Sequence, residues 1–242
     1  MRKTLQAIIE NLRSFLSRQL DKYNEKLPYI IMVAIALVVV IGGINLFVEL
    51  TDTLHTETLA SYDDQIQDYI IAHRNPGLTH YFKFVTEVGD VKGYLIVLVI
   101  VIVISALIYK RWKYVGQVTL VLFLATVSNM ILKRAIDRAR PGIEHLVSVE
   151  TLSYPSGHAM SAMAFYGFLI YLFYKFRING FLKTLAILFL AVLIASIGIS
   201  RIYLGVHYPS DIVGGFIAGL IWVSFCILLF NLIEVFRRDP RT

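Results

Sequence analysis

The sequence predicts an all-α integral membrane protein, a six-span helical bundle with an amphipathic helix at its N-terminus. Of its 242 residues, 57% are hydrophobic and 17% are charged, below the roughly 25% that is usual for soluble domains. Apolar runs long enough to cross a bilayer recur along the chain, separated by short polar segments. Helices are expected because a chain in lipid must satisfy its backbone polar groups internally.

Residues 1–26 form the first predicted domain, an amphipathic helix on the cytoplasmic face of the membrane. Apolar residues recur at helical spacing from Leu5 to Tyr23, and lysines and arginines occupy much of the remaining surface. This pattern is typical of a helix lying on an anionic lipid surface, although a cytoplasmic helix without lipid contact has the same pattern. A signal peptide is not expected, because the apolar run begins only at Leu27.

Residues 27–233 form the second predicted domain, the six-helix membrane domain. The first span is predicted at 27–47, and a long acidic loop, 49–92, follows it. Within this loop, segments 62–73 and 79–88 are predicted to be short interfacial helices. The acidic loop as a whole either covers the site or is simply solvated. The other spans are predicted at 91–109, 114–132, 158–174, 184–200 and 212–233. Residues 234–242 are the third predicted domain, a basic cytoplasmic tail.

The distribution of lysine and arginine predicts the orientation in the plasma membrane. With six crossings, the side that holds both termini carries 15 of the 23 lysines and arginines, and the other side carries 8. The first side is therefore expected to be cytoplasmic. The net charge of +6 fits this bias better than nucleic-acid binding. The single cysteine, Cys226, excludes an intrachain disulfide and a cysteine-based metal site.

Three polar clusters lie at the ends of predicted spans. They are Lys133 to Pro141, Tyr154 to His158, and Ser200 to Asp211. By the parity of the crossings all three fall on the outer face, where the cations of the first cluster break the charge rule. Ionisable groups beside membrane spans are costly and are candidates for function. If the clusters converge, they form a cationic pocket with two histidines near the membrane surface.

The composition of these clusters suits a phosphate group. Arginine supplies forked donors and lysine a point charge for phosphoryl oxygens. Ser156 is placed to cap the helix that begins at the fourth span, and Gly157 lets the backbone approach a ligand closely. A helix N-terminus with free N–H groups favours an anion. The pattern of His, Asp and Glu does not indicate a metal site, so the cations are expected to stabilise the phosphoryl charge.

The two histidines suit the proton-linked steps of phosphoryl transfer. Transfer through a protein nucleophile needs an attacking base and a group that protonates the leaving oxygen, and His207 and His158 fit these two tasks. Asp211, four residues after His207, is placed to hold the far ring nitrogen and fix the tautomer.

Together these residues resemble a known family. The motifs are Lys133-x6-Arg140-Pro141, Pro155-Ser156-Gly157-His158 and Ser200-Arg201-x5-His207-x3-Asp211. They resemble the type 2 phosphatidic acid phosphatase family. The six-span arrangement is similar to its bacterial membrane branch, which includes phosphatidylglycerophosphate phosphatases and undecaprenyl pyrophosphate phosphatases.

The resemblance implies a role for each matching residue. His207 is the expected nucleophile that forms a phosphohistidine, Asp211 its orienting partner, and His158 the acid for the leaving group. The expected phosphate-binding residues are Lys133, Arg140, Ser156, Gly157 and Arg201. Family members do not require magnesium, so neither a metal nor another cofactor is expected. Arg138, in the variable part of the first motif, is open between solvated loop charge and contact with a lipid headgroup.

The sequence thus predicts a membrane lipid phosphatase whose partners are the bilayer and a lipid phosphate. The motifs do not separate phosphatidylglycerophosphate, phosphatidic acid and undecaprenyl pyrophosphate, and a phosphatidylglycerophosphate-type or broad specificity is ranked first. A phosphotransferase with a lipid or sugar acceptor fits the same motifs. A non-catalytic membrane scaffold is disfavoured, because His158 and His207 are both present.

Overall fold

The architecture is taken from a computed structural model that describes residues 27–109, 112–149, 151–176 and 178–238. The regular elements within these ranges are all helical, which confirms the predicted all-α class. The predicted amphipathic helix at 1–26 lies outside the described residues, as do the last residues of the predicted basic tail.

Eight α-helices and one π-helical turn follow each other along the described chain. They are α1 (Leu27–Asp52), α2 (Glu57–Ala72), α3 (Pro76–Val88), α4 (Val91–Ile104), the π turn (Ser105–Tyr109), α5 (Lys113–Ile136), α6 (Gly157–Lys175), α7 (Gly180–Tyr203) and α8 (Pro209–Arg238). The two short helices predicted within 49–92 are observed as α2 and α3. α2 begins earlier than predicted because the Thr56 side chain caps it, accepting a hydrogen bond from the Leu59 N–H. α8 extends to Arg238, so the first part of the predicted tail is helical.

The predicted count of six spans is not confirmed. Within the described residues, four helical segments are long and apolar enough to cross a bilayer: Val33–Asp52, Lys113–Ile136, Gly180–Tyr203 and Pro209–Glu234. The bent pair of α3 and α4, which meet at 58°, makes a fifth if it is taken as one span. α6, the predicted fourth span, is not among them. It begins with small and polar residues and is largely enclosed by other helices, so it does not need a continuous apolar surface.

α6 lies at the centre of the bundle and packs against α5, α7 and α8. Its alanines and phenylalanines form the middle of the main apolar core. α8 approaches it very closely, since a Cβ on Gly215 would lie 2.7 Å from the Ser156 carbonyl oxygen. This contact places the start of α8 beside the start of α6, and therefore the third polar cluster beside the second.

The chain turns sharply after α7 at Gly205, which has a φ of 80°. This left-handed conformation is one that residues with a Cβ rarely adopt. A Cβ here would also lie 2.6 Å from the Glu144 carbonyl oxygen. The turn directs the following residues, including His207, back into the bundle.

Candidate active site

The three polar clusters surround one cavity of about 540 Å³ at one end of the bundle. Six of the eight predicted site residues line it: Lys133, Arg140, Gly157, His158, Arg201 and His207. Asp211 and Ser156 are completely buried beside it and do not line it. The expected convergence of the clusters is therefore observed, with two of the eight residues behind the cavity wall.

Local backbone structure holds the clusters in place. α5 ends where Asp137 adopts a left-handed conformation with a φ of 52° and donates its N–H to the Lys133 carbonyl at 3.1 Å. Ser156 caps α6, as the sequence predicts, by accepting from the Ala159 N–H. Its own N–H donates to the Asp211 carbonyl at 3.0 Å, which joins the second cluster to the third.

His207 is 2% exposed and presents one ring nitrogen to the cavity. Its Nδ1 lies 3.2 Å from Asp211 Oδ2, and its Nε2 lies 3.2 Å from Arg140 Nη1. Because a carboxylate only accepts hydrogen bonds, Nδ1 carries the proton and Nε2 keeps its lone pair. Burial lowers the pKa of His207 to about 3, although the hydrogen bond with Asp211 acts in the opposite direction. The ring is therefore neutral and able to attack an electrophile at neutral pH.

Arg140 and Lys133, two of the cations that line the cavity, donate hydrogen bonds to backbone carbonyls of residues 151–153. Arg140 donates from Nε to the Thr151 carbonyl at 2.6 Å and from Nη2 to the Leu152 carbonyl at 3.3 Å. Lys133 Nζ donates to the carbonyls of Leu152 and Ser153. These contacts hold both cations at the rim of the cavity, where an anion can compete for their donors.

Arg201 is held by a different element, the bent region between α3 and α4. Arg201 is only 4% exposed, and its Nη1 donates to Thr86 Oγ1 at 2.7 Å. Its Nε is buried and has no hydrogen-bond partner among the described residues. A buried N–H donor of a charged group is costly when it has no acceptor, so binding of an anion that accepts from Nε is favoured. The structure thus adds Thr86, which the sequence did not indicate, as a support for the predicted phosphate-binding arginine.

Arg138 is mostly buried, so the interpretation as a solvated loop charge is wrong, and it does not line this cavity. Its side chain is 12% exposed and forms ion pairs with Asp211 at 2.7 Å and with Asp63 at 2.9 Å. Asp63, from α2, is 2% exposed. Ser153, also unforeseen, lies within hydrogen-bond distance of both His207 and Asp211.

The wall formed by the bend between α3 and α4 carries negative charge. Glu87 and Asp90 line the cavity there, and both are exposed. Asp90 also caps α4, with its carboxylate accepting from the Val91 N–H at 2.7 Å. The cavity is therefore cationic around His207 and anionic along the wall formed by the bend, so its two sides carry opposite charge.

An apolar cleft of about 240 Å³ adjoins this cavity between α4 and α5. The two share the lining residues Asp90, Asn129, Met130, Gly157 and His158. Beyond these residues the cleft is lined mainly by apolar side chains, including Val91, Leu95 and Leu98. A polar cavity that opens into an apolar cleft suits an amphiphilic ligand.

Comparisons with known proteins agree with this arrangement. The family model described as the PAP2 superfamily matches residues 112–233. A Bacillus subtilis (strain 168) protein named phosphatidylglycerophosphatase B is 32% identical over 195 residues, which cover 78% of this chain and 90% of that protein. A lipid A 1-phosphatase of Rhizobium etli is 32% identical over 143 residues, which cover 52% of this chain and 56% of that protein.

A solved structure has a similar fold. The crystal structure of a transmembrane PAP2 type phosphatidylglycerolphosphate phosphatase from Bacillus subtilis matches with a TM-score of 0.75 and 29% sequence identity. The match covers 81% of this chain and 98% of that chain.

Proposed function

The chain belongs to the PAP2 superfamily, and from this premise we propose that it hydrolyses the terminal phosphate of a membrane lipid through a phosphohistidine at His207. The matched relatives named above are lipid phosphatases, which supports lipid phosphate hydrolysis. The observation that carries the proposal is a neutral, buried His207 with its Nε2 directed into a cationic cavity beside Arg140.

The first step is attack of His207 Nε2 on phosphorus. The N–P bond forms as the P–O bond to the lipid breaks. His158 takes up a proton once the negative charge of the substrate phosphate lies beside it, and it passes that proton to the lipid oxygen that leaves. Asp211 holds Nδ1–H and offsets the positive charge that the ring gains. Lys133, Arg140 and Arg201 stabilise the negative charge on the phosphoryl oxygens.

The second step releases inorganic phosphate. Water attacks phosphorus, its proton passes to the now neutral His158, and the N–P bond breaks to restore His207. The cations of this chain supply the charge stabilisation, so we propose that a metal is not required. Phosphate release that survives EDTA tests this point. Free phosphate as the product distinguishes hydrolysis from transfer to a lipid or sugar acceptor.

The lipid tail is proposed to lie in the cleft between α4 and α5. The shared lining of cleft and cavity supports this route, because a tail there would leave its phosphate next to His158. Ser156, which is buried and caps α6, is proposed to act by holding the Gly157 backbone at the cavity wall.

We propose that Glu87 and Asp90 favour phosphatidylglycerophosphate over undecaprenyl pyrophosphate. Carboxylates accept hydrogen bonds from a hydroxyl-bearing headgroup and repel a second phosphate directly attached to the first. We expect the double variant Glu87→Gln, Asp90→Asn to raise the ratio of kcat/KM for the diphosphate over the glycerophosphate by roughly threefold or more. Asn at 90 keeps the cap on α4.

Side-by-side turnover of the two lipids in mixed micelles measures this ratio. Glu57→Gln is the matched control, because Glu57 is an exposed acid of the same outer loop that does not line the cavity. An unchanged ratio in the double variant would remove Glu87 and Asp90 from the account of specificity.

The distribution of lysine and arginine supports a site on the outer side of the plasma membrane, with both termini in the cytoplasm. In a Cys226→Ala background, we expect Ser148→Cys, at the cavity, to react in intact cells with a membrane-impermeant maleimide. Gly180→Cys, at the first residue of α7 and beyond the far end of α6, should react only after the cells are opened. The reverse pattern of labelling would contradict this orientation.

A further inference from the structure

Behind His207, away from the cavity, Asp211 belongs to a cluster of buried charges whose other members have no assigned role in the predicted motifs. The cluster consists of Asp211, which is 0% exposed, Asp63, which is 2% exposed, and the Arg138 side chain, which is 12% exposed. Arg138 Nη1 donates to Asp211 Oδ1 at 2.7 Å, and Nη2 donates to Asp63 Oδ2 at 2.9 Å. One guanidinium thus joins two carboxylates that come from different helices, α2 and α8.

We propose that Arg138 and Asp63 are positioning residues for the nucleophile. They hold Asp211 and the first turn of α8 in the geometry that keeps His207 Nε2 directed at the phosphate. This inference rests on the proposed function, since it names supports for the same reaction. It also assigns α2 a part in activity, although the sequence motifs begin only at α5.

The carboxylate of Asp211 is oriented by contacts on both oxygens. Oδ2 accepts from the Tyr208 N–H at 2.8 Å and from Ser153 Oγ, and it faces His207 Nδ1. Oδ1 is held by Arg138. Without Arg138, Oδ1 would be a buried anionic acceptor with no strong donor, and the carboxylate could rotate away from the ring.

Asp63 fixes the start of the helix that carries Asp211. Its Oδ1 accepts from the Ser210 N–H at 2.8 Å, and its Oδ2 accepts from Ser210 Oγ at 2.5 Å. The N–H groups of a first helical turn lack partners within the helix and favour a negative charge. Asp63 therefore caps α8 from a distant element, one residue before Asp211.

The charges of the cluster match the covalent intermediate better than the free enzyme. Two carboxylates and one guanidinium leave one net negative charge behind His207. That charge faces a neutral imidazole in the free protein and a cationic ring once His207 carries the phosphoryl group. Burial acts to lower the pKa of Arg138, but the two carboxylates outweigh it and raise that pKa, so the cation persists.

The planar shape of the Arg138 guanidinium also determines its contacts. Its Cζ lies 4.4 Å from the centre of the Tyr208 ring, and Nη1 donates to Ser210 Oγ at 2.7 Å as well as to Asp211. A planar guanidinium over an aromatic ring donates its hydrogen bonds in fixed directions, whereas the flexible ammonium of lysine does not. Lysine at this position is therefore expected to restore charge without geometry.

Steady-state kinetics of the full-length protein in detergent, with phosphatidylglycerophosphate as substrate, test the proposal. We expect Asp63→Asn and Arg138→Met each to lower kcat roughly 10- to 100-fold while KM changes less than about threefold. Arg138→Lys should recover only part of the loss. The expected split arises because the substituted residues touch the nucleophile's support and not the substrate.

Asp64→Asn and Arg134→Met are matched controls, because Asp64 and Arg134 are exposed and do not line the cavity. Thermal midpoints are measured for every variant, and Arg138→Lys carries the test if Arg138→Met does not fold. Full kcat in Asp63→Asn or in Arg138→Lys would overturn the proposal, as would a loss that resides in KM alone. If wild-type protein releases no phosphate from any lipid phosphate, the proposed function itself fails, and that outcome is distinct from equal activity of wild type and variants.

Discussion

Replacing His207 with alanine is expected to abolish phosphate release, with a fall in kcat of at least about 10⁴-fold. The loss is large because the substituted ring is the attacking group, and the remaining cations bind the phosphate without forming a bond to phosphorus. The measurement is release of inorganic phosphate from phosphatidylglycerophosphate by purified protein in detergent containing EDTA. Full activity of His207→Ala would contradict the covalent mechanism.

Two companion variants make this result specific. His207→Ala leaves Asp211 buried without its ring partner, so His207→Gln, which keeps an amide donor in that place, separates chemistry from folding. We expect both variants to be inactive. His80→Ala is the matched control, because His80 is exposed and lies outside the cavity, and it should retain wild-type kcat.

Replacing His158 with alanine is the second large expected effect, a fall in kcat of roughly 10²- to 10⁴-fold with a lipid substrate. His158 lines the cavity at the first turn of α6, where it can reach the oxygen of a lipid whose tail enters from the cleft. An alkoxide needs a proton to leave, so loss of the acid slows formation of the phosphohistidine.

The leaving group provides the control for this prediction. p-Nitrophenolate leaves without protonation, so the first step should lose far less rate with p-nitrophenyl phosphate than with the lipid. Single-turnover release of the alcohol product measures that step alone. An equal loss with both substrates would show that His158 contributes to binding or structure and not to protonation.

The sequence predicted much of the cavity because its residues are fixed by short-range patterns. Hydropathy predicted the spans and their polar ends, and the parity of six crossings predicted the three clusters on one face. The i,i+4 spacing of His207 and Asp211 predicted their contact, and the structure has Nδ1 of His207 at 3.2 Å from Oδ2 of Asp211. Their catalytic roles stay predictions until the variants are measured.

The supporting contacts could not be predicted in the same way. Asp63 and Arg138 are separated by 75 positions, and Thr86 and Arg201 by 115. Pairs so far apart are decided by how α2 and α3 pack on α7 and α8, and one sequence has no periodicity that reports it. Arg138 in particular is indistinguishable from solvated loop charge until α2 places a carboxylate beside it.

The span count shows the opposite limitation. Hydropathy describes contact with lipid, whereas α6 packs mainly against other helices. Its small and polar residues lower its mean hydropathy, so it does not qualify as a membrane span. It nevertheless forms a helix over nearly the predicted range. Six spans remain a prediction for this reason.

The central claim is a covalent bond between His207 and the substrate's phosphorus. It is tested most directly by rapid mixing of wild-type protein with lipid carrying ³²P in its terminal phosphate, followed by quenching in alkaline detergent, in which phosphohistidine survives. We predict transient label that mass spectrometry locates on His207, that is lost on acidification, and that is absent from His207→Gln. Phosphate released by an active enzyme without labelled protein at any time, or label on a different residue, would contradict the account.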